Sequence, residues 1–504
     1  MARRAAVGAR LEVRGHVSEG HQDELDVVVV GAGLSGIGAG YHLRTHCPDK
    51  RYAIFEARSS LGGTWDLFRY PGIRSDSDMY TLGYSFRPWT SPKAIADGSA
   101  ILAYLRGTAE HYGIDRKIQY GQRVERASWS RREHRWSVQV RDVASDQVRT
   151  VRCRFLLMCA GYYDYDRGYL PEFPGVERFA GRVVHPQHWP ADLDYDQKRV
   201  VVIGSGATAV TLVPELAKRA AHVTMLQRSP TYILSRPDGD VIADWLREHL
   251  PEASAYAVTR WKNVILTMGL YAYCKQFPQQ SKRLLVDLVR RQLRGRVEAD
   301  PHFTPSYDPW DQRLCLVPNG DLFKSLRSGK SSVITDQIET FTERGVLLES
   351  GRELEADVIV TATGLRVKFL GGLRVDLDGE PVDLSKTMTY RAMMCSGVPN
   401  LAFAIGYTNA SWTLKCDLTF EYFCRLLNHM QRRGYTEFCP RTRGDVEEED
   451  LMGLSSGYLQ RAVHLLPRQG KVAPWRVYQN YALDRLTLRH TKIEDGSLQF
   501  ARSA

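Results

Sequence analysis

The clearest pattern in the chain is a unit of buried strand, glycine turn and helix that occurs twice. From Asp26 the sequence DVVVVGAGLSGIGAGYHL is a continuous apolar run followed by glycines and helical spacing, which is typical of a parallel strand that leads into a helix. YAIFEA at 52–57 predicts the next strand. A second unit, RVVVIGSGATAVTLVPELAKR, begins at Arg199 and is followed by HVTMLQR at 222–228. This repetition predicts two domains of the same kind and not one large sheet.

The segments around these units indicate the domain order. Strands at 135–140 and 153–163 close the first unit, and ADVIVTATG at 356–364 has the matching place after the second. We expect an α/β fold with two Rossmann-like domains, the second inserted into the first. The expected parts are a first domain of residues 25–165 and 356–504, a second domain of residues 166–355, and a disordered extension of residues 1–24.

Residues 241–297 have helical spacing, as in WLREHL and SKRLLVDLVRRQLRGR. We expect a helical cover on the second domain, with an amphipathic helix on a membrane surface as the alternative. The uncharged run Asn263–Cys274 is shorter than the ~20 residues that span a bilayer. Because the N-terminal segment also lacks the apolar core of a secretory signal, we expect a cytoplasmic protein.

Composition narrows the function classes. The 504 residues carry a net charge of +10, but their Lys and Arg residues are scattered, which argues against a nucleic-acid partner. The nine cysteines form no CxxC pair, so we expect free thiols and no metal site.

The first glycine loop has the full context of a dinucleotide site. Gly31, Gly33 and Gly36 stand between a strand and a helix, and Glu56 closes the next strand twenty residues later. Glycines let the backbone approach a pyrophosphate at the helix N-terminus, and a carboxylate at that place accepts hydrogen bonds from ribose hydroxyls.

The second loop indicates a different nucleotide. Gly204, Gly206 and Ala209 form the glycine-glycine-alanine variant, and Arg228 and Ser229 follow the next strand where an NAD site has an acid. A cation and a hydroxyl suit a 2′-phosphate, so NADPH is favoured over NADH.

The partner of NADPH is a dinucleotide that accepts a hydride, for which FAD is the economical choice. A flavoprotein disulfide reductase also has two such loops, but it needs a redox cysteine pair after the first unit. Since no cysteine lies between Cys47 and Cys153, oxygen is the expected second substrate.

Two further segments carry a family resemblance. FAGRVVHPQHWP at 179–190, between the two loops, matches the pattern FxGxxxHxxxWP, and GGTWDLFRYPGIRSD at 62–76 matches GGxWxxxxYPGxxxD. Both patterns are fingerprints of the Baeyer–Villiger monooxygenases, and the chain resembles that family over residues 25 to 500. The resemblance implies insertion of one oxygen atom from O₂ next to a ketone carbonyl by a flavin C4a-peroxide, with sulfides or thioamides as further small-molecule substrates.

The resemblance also implies roles for individual residues. Arg313 takes the position of the active-site arginine, with Asp76 as its partner. His185 and Trp189 would act as a hinge between the domains, because NADPH must first reduce the flavin and then move aside. The expected FAD contacts are Gly31, Gly33, Ser35, Gly36, Glu56, Thr64, Trp65, Asp66, Leu67, Asp76 and Val124. The expected NADP contacts are Arg74, Ser75, Gly204, Ser205, Gly206, Ala207, Thr208, Ala209, Val210, Arg228 and Ser229.

Two departures from the family pattern concern the cofactor and the substrate. Gln312 stands where many relatives have a lysine beside the active-site arginine, so the preference for NADPH depends mainly on Arg228. The tail has GYLQRAVHLLPRQGK at 457–471 in place of the family's WxxGxNxPGK loop, which leaves the substrate range open. The alternatives in reaction class are a flavin enzyme that oxygenates nitrogen or sulfur, and a flavin redox sensor or NADPH oxidase that transfers no oxygen atom.

Overall fold

The computed structural model describes residues 24–503 except Arg443, Asp445 and Leu454. The expectation of a disordered extension therefore lies outside the described residues, apart from Glu24. The helices are α1 Leu34–His46, α2 Thr64–Leu67, α3 Met79–Leu82, α4 Gly98–His111, α5 Ala207–Leu216, α6 Val241–His249, α7 Glu252–Gln276, α8 Pro278–Leu293, α9 Asp321–Arg327, α10 Trp412–Arg433, α11 Gly457–Gln460 and α12 Tyr481–His490.

Two main sheets organise the chain. The strands are β1 Leu25–Val30, β2 Tyr52–Phe55, β3 Ile118–Gln119, β4 Gln122–Ser130, β5 Arg135–Asp142, β6 Val148–Met158, β7 Arg182–Val184, β8 Arg199–Ile203, β9 His222–Gln227, β10 Ile233–Arg236, β11 Cys315–Pro318, β12 Ser331–Thr335, β13 Ile338–Phe341, β14 Gly345–Leu348, β15 Glu353–Glu355, β16 Val358–Thr361, β17 Arg374–Leu377, β18 Glu380–Pro381, β19 Thr389–Tyr390, β20 Met394–Cys395, β21 Leu401–Phe403, β22 Glu437–Pro440, β23 Glu448–Asp450, β24 Arg468–Gly470 and β25 Leu498–Ala501.

The first sheet has the order β18-β17-β4-β5-β6-β1-β2-β3, with β21 also paired to β6. The centre of this sheet, β6-β1-β2, is parallel, and β1 is the buried apolar run seen in the sequence. One face packs against α1 and α10 and the other against the tail, so both faces are covered, as parallel sheets require.

The second sheet has the order β12-β9-β8-β16-β7, and all its pairs are parallel. The predicted boundary at residue 356 is wrong, because β16 pairs with β8 inside this sheet. The chain returns to the first domain only after Thr361. The fold class, two Rossmann-like domains with the second inserted, is as the sequence predicts.

The helical insertion differs from the prediction in what it covers. Helix α8 packs into the core of the second domain through Val289 and Leu293, but α7 contacts the first domain. The Arg260 guanidinium donates to the backbone oxygens of Tyr80 and Gly83, each at 2.8 Å. The Tyr80 carbonyl belongs to the short helix α3, and the Gly83 carbonyl directly follows this helix. Carbonyls at a helix end lack donors within the helix, and Arg260 of α7 supplies them here. In the described part of the chain, no helix combines the length and apolarity needed to cross a membrane.

Candidate active site

The first glycine loop has the shape that a bound dinucleotide requires. Gly31 has a φ of +102°, which favours glycine. A Cβ on Gly36 would overlap the carbonyl oxygen of Gly31, and a Cβ on Gly33 would lie 3.5 Å from the Cα of Gly63. Since Gly33 gives α1 no side-chain cap, the first N–H groups of this helix are available to a phosphate.

Glu56 is fixed at the end of β2 beside this loop. Its carboxylate accepts hydrogen bonds from the backbone N–H of Ala32 at 2.7 Å and of Arg58 at 2.8 Å. Burial raises the pKa of Glu56, and these two donors oppose that effect. The carboxylate keeps lone pairs for further donors, as a ribose site needs.

The GGTW segment leads into helix α2, which begins at Thr64 beside the first glycine loop. Asp66 is buried and accepts hydrogen bonds from Arg58 and Ser60, each at 2.6 Å. Burial alone would raise its pKa, but these hydrogen bonds hold the pKa of Asp66 below the ordinary value. The Thr64 hydroxyl is 3.1 Å from the Tyr165 hydroxyl.

The other predicted FAD residues have mixed surroundings. Trp65 packs against the first core, whereas Leu67 belongs to the core of the second domain. The Ser35 hydroxyl accepts from the indole N–H of Trp412 at 2.9 Å. Val124 lies next to a bulge in the pairing of β4 with β5.

The second glycine loop repeats the geometry of the first. Gly204 has a φ of +134°, and a Cβ there would overlap the carbonyl oxygen of Ala362. A Cβ on Gly206 would meet nothing within 4 Å, so this glycine borders open space. The Ser205 hydroxyl donates to the Ser229 carbonyl at 2.9 Å and connects the loop to the end of β9.

The helix after this loop packs into the second domain. Ala209 and Val210 are buried in its core, while Ala207 and Thr208 form its first turn. Arg228, directly after β9, is exposed. A 2′-phosphate at the end of β9 would therefore meet a solvent-facing guanidinium.

Arg313 and Asp76 form the ion pair that the resemblance implies. A guanidinium nitrogen of Arg313 lies 2.8 Å from a carboxylate oxygen of Asp76, and the Arg313 side chain is 34% exposed. The Asp76 carboxylate raises the pKa of Arg313 against the opposing effect of burial. Arg313 therefore keeps its positive charge at neutral pH.

The two residues before Asp76 differ in what they present. Arg74 pairs with Asp321 at 2.5 Å, and one of its Nη atoms is buried without a hydrogen-bond partner among the described residues. The Ser75 hydroxyl instead accepts from the backbone N–H of Ala96 at 3.1 Å and is buried. The Ser75 side chain is thus part of the packing and is not directed at a ligand.

A small pocket of about 100 Å³ lies beside the Arg313–Asp76 pair. Its walls come from α7, β10, the 76–81, 310–316 and 408–414 segments and Tyr481; the apolar members are Leu234, Val264, Met268, Leu270, Trp310, Leu314, Leu316, Ala410 and Leu414. Reasoning from the sequence missed these residues, although the uncharged run Asn263–Cys274 was a signal for those on α7. The pocket offers an apolar substrate a largely apolar surface next to a charged guanidinium.

The FxGxxxHxxxWP segment lies at the start of the second domain, after the chain has crossed from the first. Its strand β7 pairs with β16, and a Cβ on Gly181 would lie 2.6 Å from the Phe179 ring. The Nδ1 of His185 accepts from the Gln187 backbone N–H at 3.2 Å, and its Nε2 is 3.2 Å from the Gly364 carbonyl oxygen. His185 is therefore a neutral imidazole that donates to the return linker, and burial lowers its pKa.

Trp189 ends the same segment. It is half-buried against the core of the second domain and contacts Tyr195 edge to face, with ring centroids 6.4 Å apart. Neither Trp189 nor His185 is among the residues that line the pocket.

Comparisons with known proteins define the class. Residues 86–390 match the model of the flavin-binding monooxygenase-like family, and residues 29–93 match that of an NAD(P)-binding Rossmann-like domain. The chain belongs to the flavin-binding monooxygenase-like family and is an oxidoreductase of the flavin-dependent monooxygenase class.

The individual relatives agree over nearly the whole chain. The chain is 55% identical to the FAD-containing monooxygenase EthA of Mycobacterium tuberculosis over 482 residues, which cover 95% of this chain and 98% of that protein. It is 50% identical to the probable FAD-binding monooxygenase AlmA of Acinetobacter baylyi over 482 residues, 95% of this chain and 96% of that protein.

Among solved structures, an oxidized steroid monooxygenase bound to NADP matches with a TM-score of 0.73 and 22% identity, covering 95% of this chain and 100% of that one. These findings confirm the predicted family, fold class and cofactor pair, FAD with NADP(H).

Proposed function

We propose that the protein is a Baeyer–Villiger monooxygenase that uses NADPH and O₂ to insert an oxygen atom next to a ketone carbonyl, giving an ester or lactone. Small sulfides and thioamides are further substrates in this proposal. The observation that carries it is the charged Arg313–Asp76 pair beside an apolar pocket.

The first domain suits FAD and the second suits NADPH. Gly31 and Gly36 form a cradle that a Cβ would fill, and Glu56 is fixed beside it. Gly204 and Gly206 form the second cradle, with Arg228 at the end of the next strand. When bound, FAD reduced by NADPH supplies the activated oxygen.

Arg313 supplies the electrostatic part of the reaction. Attack on a carbonyl places negative charge on the substrate oxygen, and a fixed cation in a dry site lowers the cost of that charge. Asp76 holds the guanidinium in position at 2.8 Å. The neighbouring tyrosines, Tyr162 and Tyr163, have pKa values raised by burial and stay neutral, so they add no competing negative charge.

The two linkers between the domains are hydrogen-bonded to each other, which suits the hinge role in this proposal. Asp164 N–H donates to the Arg366 carbonyl at 2.9 Å, and Tyr169 N–H donates to that of Gly364 at 3.1 Å. His185 adds its own hydrogen bond to Gly364. A rotation of the second domain would bend the chain at these hydrogen-bonded linkers. In this proposal His185 and Trp189 therefore govern the movement of the domains and take no part in the bond chemistry.

Purified FAD-loaded protein and NADPH under ¹⁸O₂, with a simple methyl ketone and in a parallel reaction with a small sulfide, test this function. We expect an ester with one ¹⁸O atom, identified by mass spectrometry. Oxidation of a sulfide without any ester would favour a heteroatom oxygenase. Hydrogen peroxide as the sole product would identify an NADPH oxidase and contradict the proposal.

A further inference from the structure

Three arginines lie in segments that border the second glycine loop, and the described residues give none of them an acidic partner. Arg228 follows β9, Arg366 lies in the linker after β16, and Arg461 lies in the tail just after α11. Within the described part of the chain, no carboxylate oxygen is within 4.0 Å of any of their guanidinium nitrogens. The Nε of Arg366 is buried and has no hydrogen-bond partner among the described residues. We call these residues the arginine cluster.

The surroundings of its guanidinium place Arg461 against the linker next to the loop. Its Cζ lies 3.5 Å from the centroid of the Tyr169 ring, and an Nη atom lies 3.9 Å from the position of a Cβ on Gly364. Gly364 is two residues from Ala362, whose carbonyl oxygen packs directly against Gly204. The Arg461 guanidinium thus lies on the linker side of the loop, whereas Arg228 lies at the end of the neighbouring strand.

Among the described residues, no carboxylate compensates the three positive charges of the cluster. Burial, and then repulsion from Arg366 and Arg228, lower the pKa of Arg461. Like charges held together in this way are relieved by an anion that binds between them. The position of the cluster, next to the open N-terminus of α5, is where a dinucleotide pyrophosphate binds in folds of this type.

The segment that carries Arg461 also reaches the active site. The backbone N–H and the hydroxyl of Ser455 both donate to the Asp311 carbonyl at 2.9 Å. Tyr458 contacts Tyr163, with ring centroids 6.3 Å apart. The tail therefore docks on the loop that holds Gln312 and Arg313, where the family's additional lysine is missing.

We propose that Arg461 binds the pyrophosphate of NADPH. In this proposal Arg228, at the end of β9, binds the 2′-phosphate. The two arginines then differ in selectivity. Arg461 contributes equally to the binding of NADP⁺ and NAD⁺, since both contain a pyrophosphate, while Arg228 contributes to NADP⁺ alone.

Isothermal titration calorimetry of the FAD-loaded protein with NADP⁺ and with NAD⁺ tests this division. For Arg461→Ala we expect both dissociation constants to rise about tenfold (~1.4 kcal/mol). Arg461→Lys should recover part of this loss, because the charge is kept and the planar fork is not. For Arg228→Ala we expect a weaker affinity for NADP⁺ and an unchanged affinity for NAD⁺.

The control is Arg476→Ala, which removes another exposed tail arginine that lies over a tyrosine, Tyr478. This variant should bind both nucleotides like the wild type. FAD content and Tm show that each variant is folded, and Arg461→Lys keeps the test valid if the alanine variant is not.

Unchanged affinities in Arg461→Ala would overturn the proposal. A loss confined to NADP⁺ would assign Arg461 to the 2′-phosphate and would also overturn it. The titration contains no ketone and no turnover, so its result is independent of whether the proposed oxygenation is correct.

Discussion

Replacing Arg313 with alanine separates the two halves of the proposed reaction. The change removes the cation that lies 2.8 Å from Asp76 and next to the apolar pocket. It leaves both glycine loops and the residues around Glu56 untouched. We therefore expect NADPH to reduce the flavin at a nearly normal rate, while ester formation is lost.

The magnitude follows from the partial exposure of the pair. The Arg313 and Asp76 side chains are 34% and 43% exposed, so the ion pair stabilises the fold by no more than about 1 kcal/mol. A single charged donor at developing negative charge, by contrast, is typically worth about 10²–10³ in rate, or ~2.7–4 kcal/mol. The effect should thus appear in catalysis, with little change in Tm or FAD content.

Three measurements on the same variant check this reasoning. Anaerobic stopped-flow absorbance follows flavin reduction, mass spectrometry follows ester, and a peroxide assay follows NADPH consumption that yields no ester. In Arg313→Ala the peroxide should account for nearly all NADPH consumed. Arg313→Lys should restore part of the ester, since the charge returns without the planar fork.

The matched control is Arg290→Ala, which removes an exposed arginine that pairs with Asp287 at 2.9 Å on α8. It should leave reduction and ester formation as in the wild type. Ester formation by Arg313→Ala within a few-fold of the wild-type rate would refute the assigned role. So would loss of flavin reduction with FAD still bound, because Arg313 would then act in hydride transfer.

Four other predictions concern the loops and the linkers. Gly36→Ala should lose FAD and about 1–3 kcal/mol of stability, seen as a low flavin absorbance and Tm, because its Cβ would overlap a backbone oxygen of the same loop; Gly269→Ala, where a Cβ meets nothing within 4 Å, should keep both. Trp189→Ala should slow turnover while FAD stays bound, and loss of FAD instead would indicate a purely structural role. Gln312→Lys should increase the ratio of NADP⁺ to NAD⁺ affinity in calorimetry, since it restores the cation found in many relatives. Because burial lowers the pKa of His185, the unfolded state takes up a proton first as the pH falls below its ordinary value of about 6.5; the wild type should lose Tm between pH 7 and pH 5, and His185→Gln should lose less.

The sequence predicts those parts of the fold that have a local pattern. Both strand-turn-helix units are found where the apolar runs and glycines indicate them, because the positive φ of Gly31 and of Gly204 is a local requirement of each turn. The close contacts of these glycines, with Cys159 and Ala362, come from distant segments and have no local pattern. The boundary at residue 356 could not be placed in this way. The apolar composition of strand β16 would suit either sheet, and only its pairing with β8 shows that it belongs to the second domain.

The candidate site, too, could be predicted only in part from the sequence. Arg313 and Asp76 are far apart in the chain, and the family resemblance alone pointed to the pair. The contacts of Arg461 and of α7 have no counterpart in a motif, because each joins segments more than a hundred residues apart, such as Arg461 with Tyr169 and Arg260 with Tyr80. Contacts of this kind arise from tertiary packing, and amphipathic spacing predicts that a helix is covered without predicting by what.

The geometry of His185 explains how a fingerprint can identify a reaction without taking part in it. An acid or base must face the substrate, yet both nitrogens of His185 are occupied by the Gln187 N–H and the Gly364 carbonyl. Gly364 lies on the linker that returns to the first domain, and the Gln187 side chain donates to the Asp164 carbonyl, which precedes the second domain, at 2.9 Å. A reaction that needs NADPH first as reductant and then as a shield places its strictest demand on the crossing between the domains. Under the proposed function, His185 and Trp189 meet this demand, and Arg313 stabilises the charge elsewhere.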